Sequence, residues 1–204
     1  MATVLDNLQI APLVIRFKPV ILLTDDQFGE FCRINPDWQI ERTAQGEILI
    51  MAPAFGKAGA RNAELTAQLT NWAHRDATGV AFDSSGGFKL PNEAIRAPDA
   101  AWVRKTRLQA LSPEQKEGFL PLCPDFVVEL LSPSDRLPTA QQKLEEYLAN
   151  GAELGWLIDP KHRQVYVYRP NQDVERLDSP ETLSGEPVLP GFVLDLREIW
   201  DPGF

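Results

Sequence analysis

The sequence predicts an α/β domain of α+β character, a mixed sheet flanked by helices, and three observations carry that expectation. The elements run helix, three strands, helix, strand, an order that favours a mixed sheet over a doubly wound parallel one. The stretch Asp125-Phe126-Val127-Val128-Glu129-Leu130-Leu131 is apolar on both faces apart from its two acids, as a central strand covered on both sides should be. No internal repeat, Gly/Ser linker or charge block divides the 204 residues, so one domain is expected over 1–204, with residues 1–20 as an extended lead-in.

The elements follow in order. The lead-in holds Pro12 and Pro19; Thr24 then caps a helix that stops before Pro36, with Phe28, Phe31 and Cys32 at helical spacing. Apolar runs at 38–40 and 48–51 meet around Gln45-Gly46 as a β-hairpin. Leu65, Leu69 and Trp72 mark a longer helix over 57–78, ended by Gly79. Short strands are expected at 80–82, 88–90 and 98–103, with bends at Ser85-Gly86-Gly87 and Asn92-Glu93. Ser112-Pro113-Glu114 supplies an N-cap, a first-position proline and a first-turn acid, the start of a brief helix. After the apolar strand, Ser132-Pro133-Ser134-Asp135 turns the chain into a helix over 139–150 closed by Gly151. A buried strand at 154–158 turns at Asp159-Pro160 into a hairpin partner at 165–168, and short strands lead to a half-buried helix near 196–200.

Composition limits the function. With 44% hydrophobic and 24% charged residues the chain is an ordinary globular protein, which excludes a disordered tail, a fibre and a coiled coil. A net charge of −9, from 29 acidic against 20 basic residues, repels polyphosphate, so contact with nucleic acid must be local and metal-assisted. Cys32 and Cys123 are far apart, which supports neither a disulfide framework nor a zinc knuckle and fits a reducing cytoplasm. The first residues lack a basic region before a long apolar run, and no stretch reaches the ~18 apolar residues of a membrane span, so neither secretion nor insertion is expected.

Three ionisable residues fall where the pattern calls for apolar ones, and a buried charge is costly unless paired, hydrogen-bonded or holding a metal. Strand alternation puts Asp99 on the face of Ala101 and Val103, and Glu129 on the face of Val127 and Leu131. Lys143 falls inside the helical stripe of Ala140, Leu144, Tyr147 and Leu148. Two carboxylates with a nearby lysine suit phosphate chemistry, in which hard oxygen ligands hold Mg²⁺ or Mn²⁺ and an ammonium steadies a water or the charge growing on a phosphate. Asp125 is a rival ligand, but four residues of strand put it about 13 Å from Glu129, too far for one shared ion. Competing structural readings stand beside these. Asp99 could bond backbone amides near a strand start, Lys143 could lay its stem across the apolar stripe with its head in solvent or pair structurally with a carboxylate, and Glu129 could simply be the lysine's partner.

Three motifs carry a family resemblance. They are Ile95-Arg96-Ala97-Pro98-Asp99-Ala100-Ala101-Trp102-Val103, then Pro124-Asp125 through Glu129 to Ser132-Pro133-Ser134-Asp135, then Lys143 with Tyr147 and Gly151. With Ser84-Ser85-Gly86-Gly87-Phe88, Gly155-Trp156-Leu157-Ile158-Asp159-Pro160 and Leu189-Pro190-Gly191-Phe192, the chain resembles the Uma family of restriction-endonuclease-like proteins, within the PD-(D/E)XK nuclease superfamily. The resemblance implies a restriction-endonuclease-like core with flanking helices and extra β-hairpins, and a Mg²⁺-dependent or Mn²⁺-dependent endonuclease acting on DNA. It assigns Asp99 and Glu129 to the metal and Lys143 to catalysis, and likens Glu64, on the long early helix, to an extra helical metal ligand of some members. The departure is at the lysine: the pattern has it two residues after the acid, where this chain has Leu131. A rival reading of the resemblance is a homodimeric, catalytically silent binding module that keeps the three charges as a structural ion cluster.

Other chemistries fit poorly. Ser84 and Ser85 are not in G-x-S-x-G, and the histidines are His74 and His162, the latter in a turn. No Walker or dinucleotide glycine pattern opens a helix. One basic patch, Arg104, Lys105 and Arg107, could meet a phosphate backbone.

Overall fold

In the computed structural model, which describes residues 12–51 and 56–204, the chain begins with β1 (Leu13–Ile15), so residues 1–11 of the expected lead-in lie outside the described residues. Helix α1 (Asp25–Ile34) opens on Thr24, whose hydroxyl accepts the Gln27 amide while the Gln27 side chain accepts the Thr24 amide. The hairpin β2 (Gln39–Arg42) and β3 (Ile48–Met51) leads to α2 (Gly56–Asp76). Strands β4 (Gly79–Asp83), β5 (Phe88–Lys89), β6 (Ile95–Arg96) and β7 (Ala100–Arg104) follow, then short helices α3 (Lys105–Gln109) and α4 (Pro113–Lys116). A parallel unit comes next: β8 (Phe126–Leu130), α5 (Leu137–Ala149) and β9 (Leu154–Asp159). The chain ends with β10 (Gln164–Tyr168), β11 (Glu175–Asp178), β12 (Thr182–Ser184), β13 (Val193–Asp195) and α6 (Arg197–Trp200).

The main sheet is mixed, in the order β11-β10-β9-β8-β7-β4, with β8 and β9 parallel and the other neighbours antiparallel. Alternation splits its side chains between two cores. Phe126, Val128, Leu130, Ala100 and Trp102 pack with Leu65, Leu69 and Trp72 of α2, while Val127, Ala101 and Val103 pack with Leu144 and Tyr147 of α5. Each of these larger apolar side chains contributes ~1.5–3 kcal/mol by leaving water. The polar residue on the α5 side of β8 is Glu129, near the end of the strand and only partly covered.

The second sheet, β1-β3-β2-β6-β5, is antiparallel throughout. Ile40, Ile48 and Ile95 pack on Phe28 of α1, and the opposite face, with Gln39, Glu41, Leu49 and Met51, lines a cavity beside the main sheet. This sheet thus roofs the end of β8.

Several local expectations change. Helix α2 ends at Asp76, where Ala77 turns to φ 59, and does not run to Gly79. Gly79 serves packing instead: a Cβ there would lie 2.1 Å from the Trp102 ring. The strands expected in succession divide between the two sheets, β4 with β7 and β5 with β6. Asp99 lies in the bend just before β7, outside the strand proper. The basic patch is largely spent: Arg104 pairs with Asp125 and Glu153, and Arg107 with Asp125 at 3.1 Å. Among the described residues no helix is long and apolar enough to cross a membrane.

Candidate active site

A cavity of about 670 Å³ lies between the second sheet, the end of β8 and the start of α5, and Asp99, Glu129 and Lys143 all line it. Asp99 is fixed by two donors: its Oδ2 accepts the Leu130 amide at 2.7 Å and its Oδ1 the Asn62 side-chain amide at 3.0 Å. The backbone-amide role weighed for Asp99 is therefore real and coexists with its place in the cavity. Burial raises its pKa against the opposing pull of the Leu130 amide, Lys143 and Asn62. Each oxygen keeps a second lone pair for a further partner.

Glu129 projects from β8 to the α5 side, where its Oε1 lies 2.8 Å from Lys143 Nζ and 3.1 Å from the Tyr147 hydroxyl, which donates to it. Burial pushes its carboxyl up to about 8, with repulsion from Asp99 and Glu41 adding to the effect and Lys143 opposing it. The two carboxylates thus share one low-dielectric site and feel each other's charge. Lys143 reaches both Glu129 and Glu41 at 2.8 Å. Burial alone would lower its pKa, but the two carboxylates override this and hold the ammonium above its ordinary range. Its head is bound inside the site, so the solvent-directed alternative for Lys143 does not hold.

Glu41, on β2, is 2% exposed. Its Oε1 accepts from Lys143 Nζ at 2.8 Å and from the Ala97 amide at 3.0 Å, and its Oε2 from Arg96 Nη1 at 3.0 Å. Burial would raise its pKa, yet Lys143 and Arg96 hold it below the usual carboxylate range. Arg96 also donates from Nε to Glu146 of α5 at 2.7 Å. The result is a chain of alternating charges from the roof sheet to α5.

Glu64 does not join this cluster. Its Oε1 accepts from Gln68 at 2.8 Å, and it is absent from the cavity wall, where Asn62 of the same helix stands instead. Asp125 is held by Arg104 and Arg107 and does not line the cavity.

The donor set fits a small divalent cation. Asp99 and Glu129 supply hard anionic oxygens, and the side-chain oxygen of Asn62 is buried without a hydrogen-bond partner beside Asp99. Among the described residues no group of three or more His, Cys, Asp or Glu side chains converges as a metal cluster. A cation here would draw on the two carboxylates and water. Sequence reasoning missed Glu41 and Asn62. Strand alternation places Glu41 opposite Ile40, as a solvent-facing residue would be, and nothing local distinguishes an amide on one helical face.

Comparison with known proteins agrees with this fold. The model of a family described as "Uma2: Putative restriction endonuclease" matches residues 25–197. A crystal structure described as a "putative nuclease belonging to DUF820", from Anabaena variabilis ATCC 29413, aligns with a TM-score of 0.72 at 22% identity, covering 87% of this chain and 97% of that one. At that identity the likeness establishes the fold. None of the curated proteins matches the chain.

Proposed function

The chain belongs to the Uma2 family, and from that premise we propose that it is a divalent-metal-dependent endonuclease that hydrolyses DNA phosphodiester bonds at Asp99, Glu129 and Lys143. The observation that carries the reading is Lys143 Nζ, half-buried and 2.8 Å from Glu129 although it comes from a helix and Leu131 stands two residues after the acid. A lone structural ion pair would not need a second, desolvated carboxylate beside it.

Asp99 and Glu129 would hold Mg²⁺ or Mn²⁺. When bound, the ion supplies Lewis-acid polarisation of the phosphate and a lowered pKa for water. The protein's own groups do the rest. The Leu130 amide and Asn62 fix the Asp99 carboxylate, and the Tyr147 hydroxyl fixes that of Glu129. Lys143 keeps a full positive charge at Nζ, which steadies negative charge growing on a phosphate oxygen or orients a water for attack.

The test is nicking of supercoiled plasmid with Mg²⁺ or Mn²⁺ by the wild type, Asp99→Ala and Lys143→Met. The wild type should cut, and each variant should lose about 100-fold or more in rate. Equal cutting by wild type and Asp99→Ala would sink the assignment. No cutting, together with no metal-induced rise in melting temperature, would favour a silent nuclease-fold module.

A further inference from the structure

We propose that Glu41 is a positioning residue for Lys143, a role that rests on the nuclease reading of the site. Lys143 reaches Glu129 from α5 on a four-carbon stem, so its ammonium is placed only as well as its partners hold it. Glu129 is a poor sole anchor, because its carboxylate is committed to the cation when one binds. Glu41 has no such commitment. Both of its oxygens are engaged, Oε1 with Lys143 Nζ and the Ala97 amide and Oε2 with Arg96, and it is 2% exposed.

The surrounding contacts turn this pair into a clamp. Arg96 binds Glu41 and Glu146, and Glu146 lies three residues beyond Lys143 on α5, so the Glu41–Arg96 unit grips that helix twice. The Ala97 amide, also held by Glu41, lies two residues before Asp99. One carboxylate on the roof sheet therefore sets the position of the lysine and of the chain leading to the metal-side aspartate. Glu41 makes no hydrogen bond or ion pair with Glu129 or Asp99; its direct contact with the three site residues is the one to Lys143 Nζ at 2.8 Å, beside a through-space repulsion of Glu129.

A double-mutant cycle with a spectroscopic readout tests this. Glu41→Gln keeps the shape of the side chain and removes its charge. With Mn²⁺ it should lower kcat about 10–100-fold with KM for DNA unchanged. In a Lys143→Met background it should cost nothing further. In the metal-free protein, the ¹H–¹⁵N signal of the Lys143 ammonium should be resolved in the wild type and in Glu129→Gln and be lost by exchange in Glu41→Gln. Wild-type kcat in a folded Glu41→Gln, an equal loss in the Lys143→Met background, or an unchanged ammonium signal would each overturn the proposal. If Glu41→Gln does not fold, Glu41→Asp replaces it, keeping the charge for Arg96 but drawing it back from Nζ by one methylene; a loss of kcat at unchanged Tm supports the role, and unchanged kcat refutes it. Absence of cleavage by the wild type would instead overturn the nuclease reading, and the ammonium signal would still decide whether Glu41 sets the lysine.

Discussion

Glu129→Gln should stabilise the metal-free protein at pH 8 and leave it nearly unchanged at pH 5. The buried carboxyl is pushed up to about 8 from an ordinary 4.5, so between those values the folded state holds a proton that the unfolded state has released. Stability then falls as pH rises across this window, because the native state binds the more protons there. Below about pH 4.5 the group is protonated in both states and the penalty vanishes. Glutamine mimics the protonated form at every pH, and Lys143 keeps Glu41 as its counterion at 2.8 Å. Relaxation and the remaining pull of Lys143 reduce the gain to about 1–3 kcal/mol, at ~1.4 kcal/mol per tenfold change in ionisation. For a chain of 204 residues that is about 3–10 °C in Tm. The assay is a thermal melt of both proteins in EDTA from pH 5 to 9. An advantage of the variant that is the same at pH 5 and pH 8, or a lower Tm for it at pH 8, would refute the desolvated-carboxylate account. With excess Mn²⁺ at pH 8 the wild type should gain more than the variant, since the cation relieves the same desolvated charge.

Three other outcomes follow from particular contacts. Asp125→Asn removes a buried carboxylate paired with two partly exposed arginines, Arg104 and Arg107, and should cost about 1–2 kcal/mol in urea unfolding, while the Mn²⁺-induced rise in Tm persists because Asp125 does not line the cavity. Gly79→Ala drives a methyl to 2.1 Å from the Trp102 ring and should destabilise by about 1–3 kcal/mol without changing metal binding; a neutral result would mean that the ring has room to move. In EDTA, binding to a fluorescent duplex should be weak and should fall about tenfold or more between 50 and 200 mM salt, given the net charge of −9; salt-insensitive binding would contradict a purely local phosphate contact.

Much of the fold is legible because single-residue physics fixes it. The capping boxes at Thr24 and Ser112, the two-faced apolar strand around Val127 and the glycine after α5 each have a local cause, and the structure has the corresponding elements. What local pattern cannot supply is partnership. Strands of two residues, such as β5 and β6, are too short to show a period, so their departure to a second sheet is invisible until Phe88 is seen opposite Arg96. Gly79 likewise reads as a helix stop, whereas its reason lies across the sheet at Trp102.

The site divides along the same line. Asp99, Glu129 and Lys143 stand out because each breaks an apolar pattern in its own stretch of sequence, and the structure brings all three to one cavity. Glu41 breaks no pattern. On β2 the apolar face is carried by Ile40, and a glutamate on the other face is what a half-exposed strand should have. It becomes a buried charge only because that face is turned towards α5, where Lys143 of the helix and Arg96 of the neighbouring strand β6 neutralise it. A residue that disrupts its own element is visible in one sequence, whereas a residue made costly by a distant element is not. Glu41 therefore emerges only when the two sheets are brought together, and the same juxtaposition explains why its loss should be felt at Lys143 more than in the hairpin that carries it.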